Sequence, residues 1–272
     1  MTKRMERAMI SRRSLTATGA GFAIGVLARR AGALAHEATP EAGEATPAGG
    51  LTPLGYSSIR LRKLTAPEHR AKVNALVIEQ FAPEVVAIEG FEGYLVGDVI
   101  DQPEGSISVL VLDHADDEAA FDVLATAFVG SIADMVDAAA TRQWSGDLYM
   151  TASPAPSAAT PVATPMPGME AGYAALRIHT SLPNTDPLDF VPEAIAGFLP
   201  IVTALPGFLG YLWFPIETGF VALSLYDTES SAQASTLAAK DWATEHLKDY
   251  TDGNPEVINA SVVYAELPIF EK

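Results

Sequence analysis

The sequence predicts an α+β protein built from two copies of one domain, each with the element order β-α-β-β-α-β. The motif GFEGYL at positions 90–95 recurs as GFLGYL at positions 207–212, an offset of 117 positions. A period this long indicates duplication of a whole domain, since solenoid repeats span only about 20 to 50 residues. The hydrophobic period also changes repeatedly between the alternation typical of strands and the spacing typical of helices. Two low-complexity segments bound the predicted domains.

The first 35 residues carry the features of an export signal. Arg12 and Arg13 precede an apolar run at 15–28, and Ala33-Leu34-Ala35 provides a small-x-small cleavage motif. This arrangement resembles a twin-arginine signal peptide. The run of 14 residues is too short to span about 30 Å of hydrocarbon, which favours export over permanent anchoring. We therefore expect the twin-arginine translocase to be a partner during export, a periplasmic or extracellular location, and no membrane contact after cleavage.

Composition excludes several classes of partner and site. The chain has 17 basic and 34 acidic residues, and without the predicted signal its net charge is about −23. Such a charge repels phosphates, so nucleic acid is not an expected partner. The chain has no cysteine, which excludes disulfides, thiolate metal sites and a cysteine nucleophile. No motif for a metal site is present, and we predict none.

The low-complexity segments set the predicted domain boundaries. Residues 36–50 and 153–170 are rich in Pro, Ala, Thr and Glu and poor in bulky apolar side chains, which is typical of linkers. They leave two predicted domains, at 51–152 and 171–272.

The second copy shows the element order most clearly. Pro200, like Pro83 in the first copy, is expected to kink the first helix. The order is that of the ferredoxin-like unit, whose antiparallel sheet is covered by helices on one face only. The predicted elements are strand 173–180, helix 188–205, strands 208–214 and 220–226, helix 230–250 and strand 257–267.

Three features of the second copy carry a family resemblance. They are LPGFLGY at 205–211, a hairpin, and LYDTESSA at 225–232 leading into a helix that contains Trp242. This combination resembles the dimeric α+β barrel superfamily and, within it, the antibiotic biosynthesis monooxygenase-type domains. The resemblance implies two sheets packed face to face as a barrel, usually across a dimer. In a duplicated chain it implies a monomer with an internal pseudo-dimer.

Strand alternation then sorts the side chains onto two faces. One apolar row, with Val221, Leu223 and Leu225 in the second copy, is expected beneath the helices, together with Ile107, Val109 and Val111. The opposite row is expected to face the barrel interior, where it would bind a small molecule. Its members are the candidate ligand-binding residues: Tyr173, Arg177, His179, Tyr211, Trp213, Ser224, Tyr226, Tyr56, Arg60, Arg62 and Tyr94.

The same residues have a purely structural interpretation. Tyrosines and a tryptophan between two sheets commonly serve as packing with satisfied polar tips. Arg60 and Arg177 recur at equivalent positions, which fits either an anion contact or pairs inherited from a common ancestor. Leu110, Leu112 and Tyr226 could fill the barrel, and a structure with a solid core between the sheets would contradict the hypothesis of a ligand-binding barrel.

Three functions follow from the resemblance. The first is a barrel that binds a small, mostly apolar molecule and acts as a cofactor-independent monooxygenase, with no catalytic residue assigned and no cofactor expected. The second is a non-enzymatic binding or structural module of the cell envelope. The third is a haem protein, since the superfamily includes haem enzymes with a histidine ligand; His246 and His179 are the candidate ligands.

Overall fold

The structure is a computed structural model that describes residues 51–154 and 172–270. We refer to these two ranges as the first half and the second half. The predicted signal peptide at 1–35, the predicted linker at 36–50 and nearly all of the linker at 153–170 lie outside the described residues.

The described residues form a mixed α+β structure. Its strands are β1 (Gly55–Leu64), β2 (Phe91–Val99), β3 (Gly105–Leu112), β4 (Val136–Leu148), β5 (Met150–Ala152), β6 (Gly172–Thr180), β7 (Phe208–Ile216), β8 (Gly219–Tyr226) and β9 (Glu256–Glu266). Its α-helices are α1 (Arg70–Leu76), α2 (Ala82–Val86), α3 (Glu118–Ser131), α4 (Val191–Glu193), α5 (Leu199–Thr203) and α6 (Glu229–His246).

The elements predicted for the second half are confirmed, with boundary shifts of a few residues. The first predicted helix, however, is not continuous. A π-helical turn, Ala194–Phe198, separates α4 from α5, and Val77–Phe81 separates α1 from α2 in the same way. Pro200 and Pro83 follow these turns, and each lacks the backbone N–H that a regular helix would use at that point. The predicted disruption at the prolines is therefore confirmed.

The repeated motif has one local structure in both halves. Gly90 and Gly207 have φ of 73° and 71°, a left-handed conformation that L side chains rarely adopt. A Cβ atom at Gly207 would also collide with the carboxylate of Asp227. Just after these glycines, the pairing register of β2 and β7 shifts, between Phe91 and Gly93 and between Phe208 and Gly210. The glycines are therefore required by the backbone.

The strands form one antiparallel sheet of nine strands within the described residues, in the order β4-β1-β3-β2-β9-β6-β8-β7-β5. Strand β9 joins the halves by pairing with both β6 and β2. Strands β4 and β5, at opposite ends of this order, are separated in sequence only by Tyr149. Near this junction β4 approaches β7 so closely that a Cβ on Gly146 would lie 2.4 Å from the carbonyl oxygen of Pro215. The sheet therefore curls until its two ends meet.

The inner face of the curled sheet is a continuous aliphatic core, which we call the inner core. It combines strand residues of both halves, including Ile107, Val109, Val221, Leu223 and Leu225, all buried. The outer face carries two separate cores, each covered by helices. The prediction that the row with Val221 lies beneath the helices is therefore wrong, as it is for Ile107, Val109 and Val111. Aliphatic side chains fill the closed interior because a polar group there would lack partners.

No helix of the described residues is long and apolar enough to cross a membrane.

Candidate ligand-binding site

The candidate ligand-binding residues share one face of the sheet, but it is the outer face. Tyr94 packs in the first outer core with Phe81 and Phe121, and Tyr211, Trp213 and Tyr226 pack in the second with helical residues. The prediction that these residues line the barrel interior is wrong, because alternation separates two rows without saying which row the helices cover. Leu110 and Leu112 likewise lie in the first outer core.

The second half contains two adjoining cavities between the sheet and α6. The inner cavity, of about 30 Å³, is lined by Arg177 and His179 and by a shell of mainly apolar side chains. The outer cavity, of about 230 Å³, opens beyond it. Arg177, His179 and Ala239 line both cavities and so mark the boundary between them. The aromatic members of the inner lining are Phe190, Phe198, Tyr211, Trp213, Phe220 and Trp242.

Arg177 is a buried cation without a carboxylate partner among the described residues. Its side chain is only 2% exposed. Its Nη2 donates a hydrogen bond to the hydroxyl of Ser224, whereas its Nη1 is buried without a partner in the described structure. Burial lowers the pKa of the guanidinium, but an arginine stays protonated at neutral pH. The site therefore contains an uncompensated positive charge.

His179 lies beside Arg177 as a neutral side chain. Burial, followed by the positive charge of Arg177, lowers the pKa of His179 to about 4. Its ring stacks on Phe220 with 4.3 Å between centroids, and its Nδ1 is buried with no partner among the described residues. At neutral pH the imidazole therefore adds a polar group to the cavity but no charge.

The aromatic candidates have different roles around the cavity. The indole Nε1 of Trp213 is buried without a hydrogen-bond partner in the described residues, although Trp213 lines the inner cavity. Burial raises the pKa of Tyr211, so its phenol stays protonated. Tyr226 donates a hydrogen bond to the carbonyl of Val202 at 3.0 Å, and Tyr173 borders a separate cavity of about 70 Å³. Trp213 and Tyr211 thus remain at the site, while Tyr226 and Tyr173 serve the structure around it.

The corresponding cluster of the first half is closed by its own contacts. Arg60 forms an ion pair with Asp122 of α3, and its Nε donates a hydrogen bond to Oε1 of Gln143 at 3.2 Å. Its guanidinium carbon lies 4.5 Å from the ring centre of Phe121. Tyr56 donates a hydrogen bond to Glu118 at 2.6 Å, and burial together with this contact raises the pKa of Tyr56 to about 12. These polar groups are satisfied within the fold.

Arg62 and Tyr94 border a smaller space in the first half. Arg62 Nη1 donates to the Ser108 hydroxyl at 2.7 Å. The cavity that they line measures about 20 Å³, room for about one water molecule. This space is too small for an organic ligand.

The two candidate haem ligands do not fit haem in this structure. His246 Nδ1 lies 2.7 Å from a carboxylate oxygen of Glu193, and its ring stacks on Trp242 with 4.7 Å between centroids. His179 faces the cavities of about 30 and 230 Å³, which are smaller than the roughly 300 to 1,000 Å³ of pockets for drug-sized ligands and too small for haem. Within the described residues, no group of three or more His, Asp or Glu side chains is placed to hold a metal ion.

Several residues of the site were not predicted from the sequence. Thr236 and Lys240 of α6 line the outer cavity with Asn254 and Pro255, and Met150 of β5 lines the inner cavity. Met150 belongs to the first half and reaches the site because β5 pairs with β7, where Met150 lies opposite Trp213. No local signal marks these positions, because only the tertiary fold brings them to Arg177.

The comparisons with known proteins concern the fold. No protein-family model matches the chain, and no curated protein matches its sequence. A solved structure of a candidate monooxygenase from Fusobacterium nucleatum aligns with a TM-score of 0.60 at 11% identity, covering 79% of this chain and 95% of that protein. A candidate monooxygenase from Lactobacillus acidophilus aligns with a TM-score of 0.56 at 12% identity, covering 79% and 97%. An anthrone oxidase-like protein gives 0.53 at 15% identity, covering 79% and 94%.

These identities establish a shared fold and nothing more about chemistry. The chain has the α+β barrel fold of these proteins, as the family resemblance implied.

Proposed function

We propose that this protein is an exported, duplicated barrel of the antibiotic biosynthesis monooxygenase type, and that its second half binds one small, mostly apolar molecule. The observation that carries this proposal is the pair of adjoining cavities between the sheet and α6. A mainly apolar cleft with a few unsatisfied polar atoms is the usual form of a small-molecule site. The filled inner core contradicts the predicted ligand site inside the barrel, and we therefore propose a different site, on the helix-covered face of the sheet.

The reaction proposed for this site is oxygenation without a bound cofactor. An activated aromatic such as an anthrone loses a proton, reacts with O₂ at the same carbon, and releases water to leave a ketone. Both oxygen atoms are accounted for, one in the ketone and one in water. The aromatic lining would orient the ring and exclude bulk water. Similarity to the candidate monooxygenases supports this proposal only through the shared fold.

A non-enzymatic binding module is the second candidate. The first half favours it for that part of the molecule, because Arg60 and Tyr56 are satisfied by Asp122 and Glu118 and little open space remains. Oxygen uptake with anthrone, followed together with the absorbance of anthraquinone, separates the two candidates. Uptake that requires the protein supports the enzyme; binding without uptake supports the module.

The binding site itself is tested by blocking the outer cavity. Thr236→Trp places an indole in that cavity, whereas Thr244→Trp places the same group on an exposed part of the same helix. We expect 2-naphthol, measured by calorimetry on the protein without its signal, to bind the Thr244 variant like the wild type and the Thr236 variant at least about tenfold more weakly. Equal binding to both variants would place the ligand elsewhere.

Export is tested at the paired arginines. Replacing Arg12 and Arg13 by lysine should retain the full-length chain inside the cell, measured by immunoblotting of cell fractions. Unchanged export of the double variant would contradict a twin-arginine route.

A further inference from the structure

We infer that the ligand is an aromatic carboxylate, and that Arg177 and Trp213 hold its carboxylate group at the inner cavity. This inference rests on the proposed function, because it specifies the ligand class of the same site. It begins from two buried donor groups without partners, Arg177 Nη1 and Trp213 Nε1, whose side chains line one cavity.

The charge at the inner cavity is positive, since Arg177 is the one charged residue among the described residues that line it. Arg177 is buried and forms no ion pair with a described carboxylate, and Ser224, its one hydrogen-bond partner, is neutral. His179 and Tyr211, which line the same cavity, are neutral at pH 7 for the reasons given above. A buried charge without a counter-ion is costly, and an anionic ligand would remove this cost on binding.

The two unpartnered donors, on Arg177 and Trp213, together with the small inner cavity, favour a ligand group with two acceptor oxygens. A guanidinium N–H and an indole N–H are both donors only, so a ligand must present acceptors to both. The inner cavity of about 30 Å³ has room for about two water-sized atoms. Two oxygens are what a carboxylate presents, whereas a phosphate or sulfate group needs more space. The inner cavity therefore fits a carboxylate better than the larger oxyanions.

The outer cavity holds the rest of the ligand. Its volume of about 230 Å³ leaves room for a fused aromatic ring system, and Ala239, Pro255 and Val257 provide apolar contacts. Lys240 lies at the exposed rim, where it adds a second positive charge near the entrance. These two cations matter because the chain without its predicted signal carries a net charge of about −23, which would otherwise repel an anion.

The test compares 1-naphthoate with 1-naphthamide, a neutral analogue of nearly the same shape, by calorimetry at pH 7 on the protein without its signal. We expect the wild type to bind naphthoate at least about tenfold more tightly than naphthamide, since hydrogen bonds to charged groups are the stronger ones. Arg177→Gln should abolish this preference. Arg142→Gln, which removes an exposed arginine paired with Glu256, should preserve it.

The possible results separate this inference from the proposed function. Equal affinity of the wild type for both compounds overturns the carboxylate inference and leaves the binding site intact. Binding of neither compound overturns the proposed function and the inference with it. A preference that survives Arg177→Gln overturns the role of Arg177. If that variant fails to fold by circular dichroism, Arg177→Lys replaces it; it keeps the charge but loses the forked geometry, and we expect it to retain a reduced preference.

Discussion

Arg60 and Arg177 lie on equivalent strands of the two halves, on the same face of the sheet, yet only Arg60 has a counter-ion. Arg60 pairs with Asp122 of α3 and packs on Phe121, and its pocket is closed. The α6 residues that line the outer cavity of Arg177 are Thr236, Ala239 and Lys240, and none of them is acidic. The presence of Asp122 on α3 thus distinguishes Arg60, which is paired within the fold, from Arg177, which has no carboxylate partner among the described residues and is available to a ligand.

This difference has an energetic meaning. Breaking or omitting one partner of a buried ion pair is costly, so an unpaired buried arginine is a stability cost that a fold without a ligand would have no reason to keep. The aromatic residues around Arg177 make the cost larger, because they exclude water from the guanidinium. The comparison therefore supports a packing role for the first half and the proposed ligand site in the second.

The largest expected effect concerns acid stability and comes from His179. Its folded-state pKa of about 4 lies below the unfolded value of 6.5, so between these values the unfolded chain binds a proton that the folded chain does not. Stability should therefore fall as pH drops from about 6.5 to about 4, by about 3 kcal/mol in total. Urea unfolding across this pH range measures the loss.

His179→Gln should remove this part of the pH dependence, while Phe220→Leu, which changes the stacking partner without removing a titratable group, should retain it. A wild-type curve that is unchanged by His179→Gln would show that the imidazole is not excluded from water as the structure has it.

The next largest effect is expected from a substitution that gives Arg177 a carboxylate partner like that of Arg60. Thr236→Asp places a carboxylate on α6 beside the cavity of Arg177, as Asp122 does for Arg60. We expect naphthoate affinity to fall by about 2 kcal/mol, roughly 30-fold, because the new carboxylate competes with the ligand for the guanidinium. Calorimetry measures the change.

Asp122→Thr is the reciprocal control. It removes the counter-ion of Arg60 in the first half and should leave naphthoate affinity at the wild-type value. Loss of binding in this variant, or full binding in Thr236→Asp, would break the distinction between the two halves.

The smallest effect concerns the stability of the ligand-free protein. Arg177→Met replaces an uncompensated buried cation by an apolar side chain of similar length, and we expect stabilisation by roughly 1 to 2 kcal/mol. Arg60→Met removes a satisfied ion pair and a ring contact, and should destabilise by about 1 kcal/mol or less, since Asp122 is half exposed. Urea unfolding without ligand measures the change in the free energy of unfolding for both variants. Destabilisation by Arg177→Met would mean that Arg177 has a structural role.

Much of the fold could be predicted from the sequence because its signals are local. Alternation of apolar and polar residues predicted the strands of the second half. The repeated glycines, Gly90 and Gly207, have positive φ, which accounts for their recurrence in both halves. Pro83 and Pro200 likewise marked the interruptions of the helical segments.

The covered face could not be predicted in the same way. Alternation shows that Leu223 and Ser224 lie on opposite faces of the sheet, but it does not show which face the helices cover. Burial does not decide it either, because the residues of both rows are buried. A general expectation that helices cover the most aliphatic row placed the candidates in the wrong compartment. In the first half the helix-covered face supplies a partner that alternation does not show, since Asp122 of α3 pairs with Arg60.

The difference between Arg60 and Arg177 also depended on tertiary structure. Both arginines look alike along the chain, and the partner of Arg60 lies 62 positions away on α3. Only the register of each helix on the sheet shows that Asp122 reaches one arginine and that Thr236 borders the other.

A crystal structure of the protein without its signal, grown with 4-bromo-1-naphthoate and measured at the bromine absorption edge, tests whether the ligand binds between the sheet and α6 with its acid group at Arg177. We expect a bromine peak in the cavity bordered by Thr236, Lys240 and Pro255, with the carboxylate in contact with Arg177. A peak in the first half or between the sheet faces, or a ligand whose carboxylate points to solvent, would contradict it.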